Sequence, residues 1–279
     1  MHDLIPEGTT WTTNLLTQTT KPAAGTHEVR SPFDGSLLTA VPTGGAQHVE
    51  DALAVAYGLY RNRDGWLSLP ERLRILDRLA SAMEARHEAL ALLAASEGGK
   101  PLIDSRVEVT RAIDGIRLCI EAARDDRGEV ISVATTEATR GRTAYTQKEP
   151  IGVVVAVSAF NHPLNLIVHQ VGPAVAAGCP VIVKPAGDTP LSCLNFVQML
   201  HDAGLPAAWC QAIVTNNNDT ATALVTDPRV AFFSFIGSAR VGWMLRSKLA
   251  PGARCALEHG GDAPAVLLDD FEFESTVAA

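Results

Sequence analysis

The sequence lacks an excess of positive charge and a long uninterrupted apolar run. Its 279 residues include 31 acidic and 23 basic side chains, a formal net charge of −8, which disfavours binding to nucleic acid or to an anionic membrane. The longest apolar stretch, residues 164–183, is broken by His169, Gln170, Pro173 and Pro180, and indicates a helix, a turn and a strand rather than a membrane span. The first seven residues carry neither a basic nor an apolar segment, so we expect no secretion signal.

Cysteines are few and unclustered. They form no Cys-x-x-Cys pair and no cluster with histidine, and they are Cys119, Cys179, Cys193, Cys210 and Cys255. This spacing disfavours a metal site or a disulfide framework and favours reduced thiols in a cytoplasmic protein. Since 47% of the residues are hydrophobic, the chain can bury a substantial core in one large domain or two.

Two kinds of sequence meet near Pro150. We predict that residues 1–150 form a helical region with a strand extension, which is part of the same cofactor domain as residues 151–279. Helices are expected over three stretches: about 47–60, 72–96 and 102–123. The second helix opens with a capping box at residues 68–71 and ends at Gly98–Gly99. Residues 143–148 alternate like an exposed strand.

After residue 150, predicted strands alternate with predicted helices. The strands fall at 153–157, 181–183, 212–214, 231–235 and 255–258, and the helices at 164–177, 190–203, 220–225 and 238–249. Thr189 and Pro190 have the residue types of an N-cap and a first helical position. The alternation predicts an α/β fold, with a Rossmann-like, doubly wound parallel sheet over residues 151–279. Ligands of such sheets bind at the carboxyl ends of the strands.

Asn161 and Glu258 are the candidate catalytic residues. Asn161 follows the 153–157 strand, where its amide N–H would stabilise an oxygen that gains negative charge; alternatively it caps the next helix or satisfies a turn. Glu258 ends the 255–258 strand, where a carboxylate would suit a general base for water. A lone glutamate at a strand end is, however, more often a solvated surface charge.

Two other strand ends indicate a nucleotide site. Lys184 could bind sugar hydroxyls or phosphate, although an isolated lysine there is more often solvated. Gly187 lacks the acidic side chain that would hold a ribose 2′-hydroxyl and repel a 2′-phosphate. Gly237 and Ser238 lie where a strand turns into a helix, which favours an anion. Their turn is neither a Gly-x-Gly-x-x-Gly fingerprint nor a P-loop, so alone it is a weak signal.

Together these segments resemble the aldehyde dehydrogenase superfamily from about residue 28 onward. The motifs are Ser-Pro-Phe-Asp-Gly at 31–35, Glu-Arg-Leu at 71–73, Glu-Gly-Gly-Lys-Pro at 97–101, Glu-Pro-Ile-Gly-Val-Val at 149–154, Phe-Asn-His-Pro-Leu at 160–164, Val-Lys-Pro at 183–185, Ser-Phe-Ile-Gly-Ser at 234–238 and Leu-Glu-His-Gly-Gly at 257–261. The resemblance implies an oxidoreductase that oxidises an aldehyde with NAD or NADP. Two motifs, at 31–35 and 160–165, look most similar to members that act on small polar or acidic aldehydes.

The resemblance also implies roles for individual residues. Asn161 matches the donor that stabilises the oxyanion, and Glu258 matches the base that activates water against a thioester. Cofactor contacts are implied for Ser158, Ala159, Phe160, Lys184, Gly187, Gly237, Ser238 and Gly260. Among these, Lys184 matches the lysine that contacts the adenosine ribose. Since NAD-preferring members usually carry Glu where this chain has Gly187, the resemblance favours acceptance of NADP.

The chain departs from the family pattern at its nucleophile. In the family a cysteine follows the Glu-x-Gly-Gly segment by a few dozen residues, whereas no cysteine follows Gly261 here. We therefore expect a cofactor-binding part truncated before the catalytic domain, which forms a homo-oligomer or pairs with a missing C-terminal half. The alternatives are a nucleotide-binding protein without catalysis and an esterase-like activity. Ile236 and His259 replace a common Thr and Leu, and we interpret His259 as filling space.

Overall fold

The computed structural model describes residues 16–125, 128–215 and 217–278, and its first named elements are a β-hairpin followed by four helices. These elements are β1 (Gly25–Arg30), β2 (Leu37–Thr43), α1 (Ala46–Arg61), α2 (Leu69–Ala85), α3 (His87–Gly98) and α4 (Leu102–Asp125). A short antiparallel pair, β3 (Val130–Ile131) and β4 (Ala144–Tyr145), comes next. The exposed strand predicted over residues 143–148 is thus only two residues long.

The elements predicted for residues 1–150 did not include the hairpin of β1 and β2. Its turn is the Ser-Pro-Phe-Asp-Gly motif. The Asp34 carboxylate accepts hydrogen bonds from the backbone N–H and the hydroxyl of Ser36, at 3.0 and 2.7 Å. Gly35 adopts a left-handed φ of 74° and donates to the Ser31 carbonyl oxygen at 2.8 Å. An aspartate followed by a left-handed glycine is a typical turn, so this motif has a structural role of its own.

The helix predicted over residues 72–96 is wrong in one respect, because it is two helices. α2 ends at Ala85 and α3 begins at His87, with Arg86 between them at a non-helical ψ of 17°. The apolar periodicity could not reveal the break, since Met83 and Leu90 are both buried and lie seven residues apart, as they would on one continuous helix. Of the capping box predicted at residues 68–71, the N-cap half is confirmed: the Ser68 hydroxyl accepts from the Glu71 N–H at 3.4 Å.

The second half of the described chain forms the predicted α/β sheet. Its elements are β5 (Val153–Val157), α5 (Asn165–Ala177), β6 (Val181–Lys184), α6 (Leu191–Asp202), β7 (Cys210–Ala212), α7 (Asn218–Thr226), β8 (Val230–Gly237), α8 (Ala239–Arg246), β9 (Arg254–His259) and α9 (Phe273–Ala278). The strand order is β7-β6-β5-β8-β9, and every neighbouring pair is parallel. The chain winds outward from β5 to β7 and then returns to β8, so the topological switch point lies between β5 and β8.

Both faces of this sheet are covered by apolar side chains, as its β-branched strands predict. On one face, Val154 and Ala156 join a cluster with residues of α2 to α6, the α5-side cluster. On the other, Val153, Val155 and Phe233 join residues of α1, α7 and α8, the α1-side cluster. The α5-side cluster includes residues from before and after position 150, and the domain division at 150 stays a prediction. Within the described ranges, no helix is both long and apolar enough to cross a membrane.

α6 starts at a buried carboxylate rather than at the predicted N-cap. Its first residue is Leu191, not Pro190, and the Thr189 hydroxyl faces the Phe160 carbonyl oxygen at 3.5 Å. Instead, the two carboxylate oxygens of Glu97, from α3, accept the N–H groups of Leu191 and Ser192 at 2.7 and 2.8 Å. The partial positive charge of a helix N-terminus favours an acid at this place. Burial nevertheless dominates and raises the pKa of Glu97 to about 7.

This raised pKa predicts that stability falls as pH rises. The pKa in the folded state, about 7, lies above the ordinary value of 4.5, so the folded chain binds one more proton between these two pH values. The resulting stabilisation is complete below the lower value and is lost as pH rises through the higher one. Relative to Glu97→Gln, the wild type should lose about 3 kcal/mol of unfolding free energy across this window.

Urea denaturation at successive pH values measures this loss, with the exposed Glu121→Gln on α4 as the control. The control should follow the wild type. If the unfolding free energies of wild type and Glu97→Gln change in parallel with pH, the assignment to Glu97 is wrong.

Candidate functional site

The strand register brings the predicted site residues to one edge of the sheet. Lys184 on β6 and Phe235 on β8 both pair with Val157, the last residue of β5. One position further on, Glu258 on β9 pairs with Ile236 on β8. β9 is therefore two strands from β5, or about 10 Å at the usual strand spacing. This edge holds the carboxyl ends of the strands, as expected for a ligand site in a doubly wound sheet.

The loop that carries Asn161 is fixed by a buried ion pair. Glu108, on α4, accepts the N–H groups of Leu164 and Asn165 at 2.8 and 3.1 Å and so caps α5. The same carboxylate forms a salt bridge with Lys100, and the two side chains are 0% and 16% exposed. The Lys100 ammonium also donates to the Asn161 carbonyl oxygen at 3.1 Å. The backbone of the loop between β5 and α5 is thus held at both its middle and its end.

His162 completes this network. Its Nδ1 atom lies 3.0 Å from the Lys100 ammonium and 3.5 Å from the Glu108 carboxylate. The histidine therefore faces the ion pair while the residue before it, Asn161, is exposed. The neighbouring side chains of Asn161 and His162 thus lie in different environments.

The Asn161 side chain is left available. Its residue is exposed, and within the described ranges its amide makes no hydrogen bond. The alternative that Asn161 caps the following helix is wrong, because Glu108 occupies that role. An amide without an internal partner, on a loop whose backbone is held, is suited to donate a hydrogen bond to a ligand.

Lys184 is not a solvated loop charge. Its ammonium donates to the Pro185 carbonyl oxygen at 3.0 Å, and among the described residues no carboxylate pairs with it. Burial lowers its pKa from the ordinary value, an effect that the nearby Cys193 opposes. A partly buried cation without a counter-charge is favourably placed to meet an anionic or hydroxyl-bearing ligand.

A side chain could start at Gly187 without a clash beside β1. A Cβ atom at this position would have the His27 ring atoms Cε1 and Nε2 as its nearest neighbours, both at 3.9 Å. The Nε2 atom of His27 lies 2.8 Å from the Gly187 carbonyl oxygen. The ring of a residue far away in sequence therefore borders the place that a side chain at 187 would occupy.

Gly237 and Ser238 form the predicted turn from β8 into α8. Ser238 is the N-cap residue, but its hydroxyl makes no capping hydrogen bond. A Cβ atom at Gly237 would lie 2.8 Å from the Phe235 ring, so the glycine is required by close packing. Beyond the turn, the His259 ring packs edge-on against Phe235 and Trp243, at centroid distances of 6.1 and 5.6 Å. This packing agrees with the interpretation that His259 fills space.

Glu258 shares the α5 side of the sheet with the Asn161 loop. Cys255 and Leu257 pack against the α1-side cluster, and side chains alternate along a strand, so Glu258 faces the opposite way. The glutamate is exposed, and in the described part of the chain its carboxylate forms no ion pair. Two residues further on, a Cβ atom at Gly260 would have no neighbour within 4 Å among the described residues. These observations leave the solvated-charge interpretation of Glu258 open.

Residues 158–160 continue β5 along the same edge. Ser158 is 6% exposed, and its hydroxyl has no hydrogen-bond partner among the described residues. Its backbone N–H donates to the Lys184 carbonyl oxygen at 3.1 Å. Ala159 is half-buried and Phe160 is exposed. A buried hydroxyl without a partner at a strand end is an unused polar contact close to the switch point.

Sequence reasoning assigned no role to Glu97, Glu108 or His27. A signal for the first two exists, because each lies on the apolar stripe of its helix. Glu97 follows the buried Leu90, Leu93 and Ala94 at helical spacing, and Glu108 lies beside buried Val109 and Ala112. An acid on a buried stripe indicates a buried partner. His27 gives no comparable signal, since its contact with Gly187 depends on the hairpin.

Comparisons with known proteins give consistent results. The sequence profile of the aldehyde dehydrogenase family matches residues 19–279. A 3-sulfolactaldehyde dehydrogenase of Priestia megaterium is 35% identical over 251 residues, covering 90% of this chain and 52% of that protein. The chain therefore spans about half the length of the curated relatives it matches.

Solved structures of similar proteins share the fold. Aldehyde dehydrogenase 21 of Physcomitrella patens, in complex with its reaction product succinate, superposes with a TM-score of 0.83 at 30% identity and covers 90% of this chain and 52% of its own. The NADP-dependent glyceraldehyde-3-phosphate dehydrogenase of Bacillus halodurans, complexed with NADP, superposes with a TM-score of 0.81 at 29% identity. The match covers 91% of this chain and 53% of that one.

The Glu108 network predicts a large difference between two glutamate substitutions. Glu108→Ala would leave two helix N–H groups and the Lys100 ammonium without their partner, so it should lower the unfolding free energy by about 3–5 kcal/mol. Glu84→Ala removes a surface pair with Arg117, whose side chains are 62% and 47% exposed, and should cost at most about 1 kcal/mol. Denaturant titration of both variants measures the costs, and equal costs would contradict a structural role for the buried carboxylate.

Proposed function

Because this chain belongs to the aldehyde dehydrogenase family, we propose that it is the cofactor-binding part of an oxidoreductase that oxidises an aldehyde to a carboxylic acid with NAD or NADP. One observation carries the proposal. At a single sheet edge, the available amide of Asn161 and the exposed carboxylate of Glu258 share the α5 side, beside a lysine, Lys184, that has no counter-charge among the described residues.

The residues present fit a dinucleotide. The Lys184 ammonium suits the adenosine ribose, and Gly187 leaves room beside that ribose. The turn at Gly237–Ser238 leads into α8, whose N-terminus has no side-chain cap and suits the pyrophosphate. The unpartnered Ser158 hydroxyl supports a cofactor contact for residues 158–160. Gly260 is proposed as a further contact on family grounds alone.

The catalytic roles follow from the chemistry of each group. The bound nicotinamide supplies a hydride acceptor. Asn161 would donate its amide N–H to the oxygen that becomes negative when a nucleophile adds to the aldehyde carbonyl. Glu258 would take a proton from the water that releases the acid. The Lys100–Glu108 pair would hold the Asn161 backbone, so that the donor is oriented before the reaction begins.

The nucleophile is proposed to lie outside this chain. Burial raises the pKa of Cys119 to about 11 and raises that of Cys179, Cys193 and Cys210 as well, and the thiolate is the reactive form. Cys255 packs with the α1-side cluster. These environments support a truncated chain that pairs with a Cys-containing half, and also the alternative of a nucleotide-binding protein without turnover.

Association and location are part of the proposal. Large apolar side chains are exposed at Trp243 and along residues 266–273, which supports an oligomer or a pairing with the other half of the fold. All five cysteines are free thiols, which supports a cytoplasmic location. Two of the similar enzymes support a small anionic aldehyde as substrate. One is named for 3-sulfolactaldehyde, and the other is in complex with its reaction product succinate.

Calorimetric titration of the purified 279-residue chain with NADP and with NAD, together with an oxidation assay on succinic semialdehyde, tests the proposal. We expect saturable cofactor binding without turnover, because the cofactor surface is present and burial raises the pKa of four of the five cysteine thiols. Turnover by the isolated chain would overturn the external nucleophile. If neither NADP nor NAD binds, the proposed function is overturned.

A further inference from the structure

His27 stands out as a polar side chain at the cofactor edge that no family motif includes. It lies on β1, outside the parallel sheet, and is half-buried. Along β1 the inward positions are His27 and Val29, and Val29 is fully buried in the α5-side cluster. The alternation of the strand therefore directs His27 toward the body of the protein.

The hairpin that carries His27 is anchored to the sheet. At the end of β2, the Gly44 N–H donates to the Val214 carbonyl oxygen at 2.7 Å, and Val41 is fully buried in the same cluster as Val29. Anchors at both strands fix the hairpin relative to β6 and to the loop that follows it. The position of the imidazole is thus determined by the fold rather than by a mobile surface side chain.

The contact with Gly187 fixes the ring itself. The His27 Nε2 atom lies 2.8 Å from the Gly187 carbonyl oxygen, so this nitrogen carries the proton and donates it. The Cε1–Nε2 edge of the ring lies 3.9 Å from the place of a Cβ atom at position 187. The imidazole therefore forms a wall of the space that an acidic side chain would fill in a protein that prefers NAD.

We infer that His27 determines cofactor specificity by contacting the adenosine 2′-phosphate of NADP in the space left open by Gly187. The inference rests on the proposed function. A 2′-phosphate beside the Lys184 ribose site would enter this space. Nδ1, the second ring nitrogen of His27, is bonded to the Cε1 atom that borders the space, so it is the nitrogen that would contact the phosphate. Lys184 supplies a cation at the end of β6. Asp188, the adjacent carboxylate in the sequence, is exposed, where solvent and salt screen its charge.

Calorimetric titration of His27 variants with NADP and with NAD tests the inference. His27→Ala should weaken NADP binding by about tenfold or more, the effect of losing a hydrogen bond to a charged group, and change NAD binding less than about twofold. His27→Gln keeps a donor for the Gly187 carbonyl oxygen but lacks the second ring nitrogen, and it should lose the same preference with the hairpin intact. His87→Ala, which replaces another half-buried histidine at the start of α3, is the matched control and should leave both affinities unchanged.

Gly187→Glu provides an independent comparison, because it fills the same space with a carboxylate. It should lower NADP affinity far more than NAD affinity. If His27→Ala and His27→Gln leave the NADP-to-NAD affinity ratio unchanged while the wild type binds NADP, the inference is overturned and the proposed function stands. Equal weakening of both cofactors would reduce His27 to a structural role. A wild type that binds neither cofactor overturns both.

Discussion

The site depends on two buried carboxylates, each of which caps the N-terminus of a helix. Glu97 accepts hydrogen bonds from the first N–H groups of α6, and Glu108 accepts them from the first N–H groups of α5. Both acids come from the helical region before the sheet, and both helices follow strands of the sheet, β6 and β5. Since a helix N-terminus attracts negative charge, each contact fixes where a helix starts. The loops that carry Asn161 and Gly187 end at these two starts.

This arrangement explains why the helical region and the sheet share a core. A doubly wound sheet presents loops at its carboxyl edge, and loops are ordinarily its most mobile parts. Here the Lys100–Glu108 pair holds the backbone at Asn161, while the hairpin residue His27 meets the backbone at Gly187. Elements that contribute no strand to the sheet therefore determine the geometry of its edge. The exposed side chains of Asn161 and Glu258 are left free to meet ligands.

The sequence predicted the central strands of the sheet well, because β5, β6 and β8 are apolar runs followed by turn signals. The edge strand predicted at 212–214 is instead Cys210–Ala212. The residues at the strand ends followed directly from that alternation. The break at Arg86 could not be predicted, since the apolar period continues across it. The N-cap of α6 was misassigned to Thr189, because a local capping residue and a distant glutamate satisfy the same N–H groups. His27 was missed for a similar reason: its partner is 160 residues away.

A crystal structure of the chain in complex with NADP would test whether the carboxyl edge of the sheet is a preformed cofactor surface. We expect the adenosine ribose at Lys184, the pyrophosphate at the start of α8 by Ser238, and the β5–α5 loop unchanged. NADP bound elsewhere, or a Lys100–Glu108 pair broken on binding, would contradict a preformed surface.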